Sequence, residues 1–257
     1  MKSYLIIPIL ILSVGLSQQE YNFNDLIEMD NGLWTEKFSD EPISGKVFKY
    51  FGEIKPLKKV YVGKILNGRK EGKWVSYFNS TGKKWYEQNY KTGMLDGLEV
   101  WWYENGNKKS ERNYKDGKGH GLNTEWYENG QKNKERSDKD GIPSGLVTSW
   151  YENGQKKYEG NYQDGKKDGL VTSWYENGQK ESERTWKDDK KDGLGTSWYE
   201  NGKKEWESTH KDGKEISSKQ RIWYENGQKR YEGTWKDGEL ISEKSFNEDG
   251  SEMNWKE

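Results

Sequence analysis

Two histidines, His120 and His210, and no cysteine are available for chemistry in a chain otherwise crowded with carboxylates, lysines and aromatic rings. Without cysteine there is no thiol nucleophile, disulfide, cysteine–zinc site or lipoprotein-type anchor. The carboxylates return in register. Glu87, Glu111, Glu135, Glu159, Glu183, Glu207 and Glu232 form one column, and Lys84, Lys108, Lys132, Lys156, Lys180, Lys204 and Lys229 form its companion. A reaction needs one constellation in one place, so a group multiplied seven-fold reads as structural. His120 falls in a column of aspartates and His210 in a column of aromatics, and both read as drift within a repeat. Asp188 to Gly193 has the acidity of a calcium loop, but Lys190 stands where a ligand belongs. The twelfth position from Asp188 is Tyr199, where such a loop needs Glu. No phosphate loop or nucleophile–base set is present. The sequence assigns no catalytic residue, no metal site and no cofactor, and it reads as a non-enzyme.

These groups are positioned by a period. Trp-Tyr-Glu-Asn-Gly occurs six times, with its glycine at Gly106, Gly130, Gly154, Gly178, Gly202 and Gly227. Degenerate copies flank the run at Phe78–Gly82 and Phe246–Gly250. Between these landmarks lies a second turn signal: Lys115-Asp116-Gly117, Gln163-Asp164-Gly165, Lys211-Asp212-Gly213 and Lys236-Asp237-Gly238. Two turns in about 24 residues leave room for two strands of six to eight residues, so each period is a β-hairpin. Self-similarity at this spacing marks a solenoid or array. The predicted fold is all-β: an elongated, single-layer antiparallel sheet of stacked hairpins.

The columns suggest a register. In the copy Leu146 to Tyr162, a two-residue Asn-Gly turn places Glu159 and Lys157 on the face of Trp150 and Leu146. A three-residue Glu-Asn-Gly loop with Gly154 in the left-handed region instead puts Leu146, Thr148 and Trp150 with Tyr158, Gly160 and Tyr162. The second solution separates apolar from polar better and is the expectation. It makes the row Trp102, Trp126, Trp150, Trp174, Trp198 and Trp223 a core strip, so that Trp150→Ala should cost about 3–5 kcal/mol. It leaves Tyr103, Tyr127, Tyr151, Tyr175, Tyr199 and Tyr224 as an aromatic row on the opposite face. That row is the candidate binding surface, although packing between strands explains it too. The Lys and Glu columns should interleave into ladders of alternating sign.

Composition agrees with an array. Leu, Ile, Val and Phe number 41 of 257 residues, and nine of them lie in the first 17. That is too little aliphatic material for one globular core. Yet 14 Trp, 17 Tyr and 30 Gly supply aromatic surface in a chain of formal charge −1, whereas disorder by composition couples low hydrophobicity to high net charge. Balanced charge also gives no reason to expect nucleic acid as a partner.

Met1-Lys2-Ser3, an apolar run from Tyr4 to Leu12 broken by Pro8, and Gly15-Leu16-Ser17 follow the layout of a secretory signal. The run is shorter than the ~20 residues that span a bilayer. The expectation is export, with residues 1–17 removed and no transmembrane span left. The mature chain would lie in the periplasm, on the outer surface or outside the cell. Residues 18–72 are then an N-terminal cap with a degenerate repeat, 73–250 the hairpin repeats and 251–257 a C-terminal tail.

Trp-Tyr-Glu-Asn-Gly-Gln-Lys, a strand like Tyr158-Glu159-Gly160-Asn161-Tyr162, and then Asp164-Gly165-Lys166-Lys167-Asp168-Gly169-Leu170 together resemble the bacterial variant of the MORN repeat. The resemblance covers roughly residues 73–250. It implies an elongated twisted sheet of hairpins. Some relatives carry the label of antitoxin in a toxin–antitoxin pair, and MORN arrays elsewhere are associated with membrane or protein scaffolding. The leading functional expectation is an exported scaffold that binds another protein or the envelope. The alternatives are a module binding an envelope glycan or cell wall, and an antitoxin or immunity protein that binds a toxin. Copies that depart from the pattern, at Ser137-Asp138 and at Ile216 to Gln220, should be the least well packed.

Overall fold

In a computed structural model of the chain, which describes residues 19–52 and 57–253, almost every residue is in a strand or a tight turn. The first seventeen residues, and with them the expected export signal, lie outside the described part, as does the end of the tail beyond residue 253. Successive hairpins pair edge to edge in one open antiparallel sheet of twenty strands. One short strand, Glu20–Asn22, lies parallel to the strand Gly45–Phe51 at the N-terminal end. The expected fold class holds.

Each period closes with two different turns. In the Glu-Asn-Gly turn, Gly154 N–H donates to Tyr151 C=O and Tyr151 N–H to Gln155 C=O, both at 2.9 Å. Gly154 sits at φ +85°, where a side chain would be strained. At the other edge, Asp164 and Gly165 both have positive φ, +49° and +82°. Those angles make a two-residue type I′ turn, whose twist matches that of the flanking strands.

The expected register does not hold. Trp150 is opposite Lys156, but Ser149 is opposite Tyr158, Thr148 opposite Glu159 and Val147 opposite Gly160. The three-residue loop is as read from the sequence, and a bulge immediately beyond it inserts Lys157 as an extra residue. A bulge of this kind shifts every later pairing by one, and a one-residue shift moves each side chain to the other face. The same shift recurs in every hairpin from the strand Gly97–Trp102 to the strand Lys229–Lys236. One face, here the threonine face, carries Leu146, Thr148, Trp150, Lys156, Glu159 and Asn161. The other, the tyrosine face, carries Val147, Ser149, Tyr151, Lys157, Tyr158, Gly160 and Tyr162. Val147 and Thr148 are both buried, one under each face, while Leu146, Leu170 and Leu194 are about half exposed. The leucine column is therefore not a core strip, and the Trp row is half-buried.

A compact aliphatic–aromatic core exists at the N-terminal end. Tyr21, Leu26, Ile43, Val47, Val62, Ile65 and Trp74 are buried together, with Phe23, Trp34, Phe51 and Tyr90 packed around them. Gly63 is required here because the Trp74 ring lies directly against its Cα, where any Cβ would clash at 2.2 Å. The Lys70 ammonium lies 5.0–5.3 Å from the ring centres of Trp34, Trp74 and Tyr90, and burial holds its pKa below the ordinary lysine value. At the other end the strand Glu239–Ser245 is exposed along nearly its whole length.

Candidate functional site

The repeat motif resolves into a set of straps between neighbouring hairpins. The phenol of Tyr103 donates to Trp126 C=O at 2.9 Å, Tyr127 to Trp150 at 2.7 Å, and Tyr151 to Trp174 and Tyr175 to Trp198, each at 2.8 Å. Tyr199 reaches Arg221 C=O at 3.2 Å and Tyr224 reaches Phe246 C=O at 2.8 Å. The ring of each therefore crosses to the following repeat. All six are half-buried. Burial raises the phenols of Tyr103, Tyr127, Tyr151, Tyr175 and Tyr199, with nearby glutamates adding to the effect. Their hydroxyls are committed within the fold, so what this row offers a ligand is ring face. The row lies opposite the Trp row, as expected.

The asparagine of the motif is a second strap, one that sequence reasoning missed. Asn105, Asn129, Asn153 and Asn177 each donate through Nδ2 to the glutamate carbonyl of the next turn, 2.9–3.1 Å away. Meanwhile their Oδ1 accepts from the amide two residues on. Its signal was the invariance of Asn across the copies, which the turn alone does not demand. The glycines Gly106, Gly130, Gly154, Gly178, Gly202 and Gly227 all have positive φ, from +80° to +101°.

On the threonine face the Lys and Glu columns pair within one strand, across the bulge, and not between hairpins as the ladder reading held. Lys84–Glu87, Lys108–Glu111, Lys132–Glu135, Lys156–Glu159, Lys204–Glu207 and Lys229–Glu232 are 2.5–2.8 Å apart, and Lys180–Glu183 completes the set. The same ammonium groups lie over the next repeat's ring: Lys84 over Trp102, Lys108 over Trp126, Lys132 over Trp150, Lys156 over Trp174 and Lys180 over Trp198, at 5.5–5.7 Å. The longer step before Trp223 gives that ring a different cation, Lys203, at 4.8 Å. Burial alone would raise the Glu232 carboxyl, but hydrogen bonds from Lys229 and Lys219 outweigh it and hold the group at about 2.

The tyrosine face is where the copies differ. Where the strand reads Tyr158-Glu159-Gly160-Asn161-Tyr162, the Tyr158 hydroxyl folds over Gly160 to meet that of Tyr162 at 2.8 Å. Toward the N-terminus this gives way to buried polar side chains. Gln88 donates to Glu99 at 2.6 Å, Asn123 donates to Asp138 at 2.6 Å, and Arg136 pairs with Asp138 at 3.1 Å. Glu99, Asn123 and Asp138 are all buried. Ser137-Asp138 is thus a buried polar substitution paired through Asp138 Oδ2, while the other carboxylate oxygen, Oδ1, is buried without a partner among the described residues. Its sequence signal was paired: Asn123 stands where the two following copies have Val147 and Val171. His210 is also buried, and burial reinforced by Lys191 and Arg184 pushes its pKa down. His120 is exposed. Among the described residues no three His, Asp or Glu gather as a metal site, and no helix is long and apolar enough to cross a membrane.

Residues 95–116, 143–164, 167–188, 191–212 and 218–237 match the family described as the MORN repeat variant. Five of the hairpin units are thus similar to the MORN repeat variant. The match passes over residues 117–142, the stretch that holds Asn123 and Asp138. No curated protein matches the chain. Among solved structures, a chain of "Crystal Structure of TcdB2-TccC3-TEV" aligns at 12% identity and a TM-score of 0.19, covering 77% of this chain and 13% of that one. The chain thus corresponds to a small part of that protein's length. MORN repeats are generally involved in protein or membrane interactions, which is consistent with a binding scaffold.

Proposed function

We propose that this chain is a non-enzymatic, exported scaffold whose MORN-variant repeats hold an extended sheet for contact with another protein at the cell envelope. The observation that carries the reading is the strapping of the repeats. Tyrosine, asparagine and lysine side chains each tie one hairpin to the next, so the array presents its two faces at fixed spacing. Equivalent side chains two strands away recur about every 9–10 Å, a ruler suited to an extended partner. The signal-like layout of residues 1–17 supports export. The test is expression with the native N-terminus, followed by fractionation, intact-mass measurement and crosslinking in the cell. The expected result is a chain beginning near residue 18 in the envelope fraction, crosslinked to one stoichiometric partner. A full-length chain in the cytosol overturns the export half, and a chain that forms no crosslink overturns the scaffold half.

A further inference from the structure

One column on the tyrosine face breaks its own pattern. The extra residue of each bulge is Lys109, Asn133, Lys157, Glu181, Glu205 or Arg230. Where it is basic, it covers the tyrosine of its own turn. Lys109 lies 5.7 Å from the Tyr103 ring, Lys157 lies 5.2 Å from Tyr151, and the Arg230 guanidinium lies 5.8 Å from Tyr224. Three repeats thus show that this geometry holds a cation against a ring face, an attraction strengthened by partial desolvation. At Tyr175 and Tyr199 the cation is absent and a glutamate has replaced it.

Here an open cleft of about 270 Å³ is lined by Tyr175, Glu181, Arg184 and Glu205 together with the small Ser173, Ser182 and Ser197. Small side chains make the space: Ser182 occupies the column that Tyr158 and Trp206 fill on either side. Ser173 and Ser182 satisfy each other at 2.8 Å. Neither Glu181 nor Glu205 pairs with a cation among the described residues, and Arg184 forms no ion pair there either. Two carboxylates against one guanidinium leave the cleft net negative beside an open ring. Burial raises the Tyr175 phenol, and Glu181 and Glu205 raise it further, as two acidic groups flanking one ring would.

We propose that the cleft between Tyr175, Glu181 and Glu205 receives a lysine or arginine side chain of the partner protein, which takes the place that Lys157 holds in the preceding repeat. The proposal rests on reading the sheet as a binding surface. Its test uses a small cation, so a failure here would leave that reading standing. The isotopically labelled chain is titrated at low salt with n-butylammonium, which mimics a lysine side chain, and separately with 1-butanol, its neutral counterpart. Amide signals of Ser182, Ser197 and Glu205 should move with the ammonium and not with the alcohol. The double variant E181K/E205K rebuilds in both repeats the arrangement already present at Lys157, so it should fold. It should bind the probe about tenfold more weakly, the factor equivalent to 1.4 kcal/mol. The variant E181Q/E205Q, which keeps side-chain size, should weaken binding in the same direction. Equal response to both probes, shifts spread over all the repeats, or undiminished binding by either double variant would overturn the proposal.

Discussion

The hydroxyl of Tyr151 lies 2.8 Å from the backbone oxygen of Trp174, one full repeat along the chain. Because the same contact recurs from Tyr103 to Tyr224, the most regular motif of the sequence encodes the joint between hairpins as well as the hairpin itself. A single-layer sheet has no second layer to hold its units in line. Side chains that reach sideways do that work, and stability becomes a sum of local and nearest-neighbour terms.

Tyr151→Phe keeps the ring and removes the joint. A part-buried hydrogen bond of this kind contributes about 1 kcal/mol net. Chemical denaturation should show a loss of about that size, with faster amide exchange confined to the two hairpins that the tyrosine spans. A change spread evenly over the array would argue against a local strap.

Trp150→Ala should cost about 1–3 kcal/mol, below the 3–5 kcal/mol of a full core deletion. Trp150 is half-buried and its ring is covered by the Lys132 ammonium at 5.6 Å. Lys132→Met tests the cover separately, and its effect should shrink when Trp150 is already alanine. Strictly additive effects in this double-mutant cycle would remove the proposed contact.

Gly160→Arg inserts a residue that Arg112, Arg136 and Arg184 show to be acceptable in this column. In this copy, however, a Cβ would lie 2.7 Å from the Tyr158 hydroxyl and 3.1 Å from Val171. The single change should destabilise the chain. Adding Tyr158→Ser, the neighbour found beside Arg112 and Arg184, should restore about 1 kcal/mol or more. Failure of the second change to rescue the first would show that the ring is not the obstacle.

Acid should weaken the C-terminal repeats through their paired carboxylates. Glu232 is held at about 2 in the fold against an ordinary value of 4.5. Hydrogen bonds from Lys204 and Arg221 similarly lower Glu207, with burial opposing them. A depressed carboxylate contributes stability that is complete above the unfolded pKa and disappears as pH falls through the folded one. For Glu232 the loss runs from about pH 4.5 down to about pH 2. Melting followed by circular dichroism across that range should fall less steeply for Glu232→Gln than for the parent chain.

Much of this was legible in the residues alone. The Glu-Asn-Gly and Asp-Gly turns, two strands per period and the continuous antiparallel array follow from local chemistry, because φ at Gly154, Asp164 and Gly165 is decided within three or four residues. What only the tertiary structure decided was the face each column takes. The bulge at Lys157 costs one pairing inside its hairpin. Its return comes partly from its own strand, where Lys156 pairs with Glu159 and Tyr158 closes over Gly160 onto Tyr162, and partly from outside, where Lys156 reaches the Trp174 ring of the next hairpin. A pattern judged inside one hairpin favours separating apolar from polar, but contacts with the next hairpin outweigh it and leave leucine in the open. Asp138 shows the same limit of a column pattern, since it is held by Arg136 two residues back in its own strand and by Asn123 on the strand Gly121–Trp126 paired with it. Local rules set the turns, and neighbouring repeats set the register.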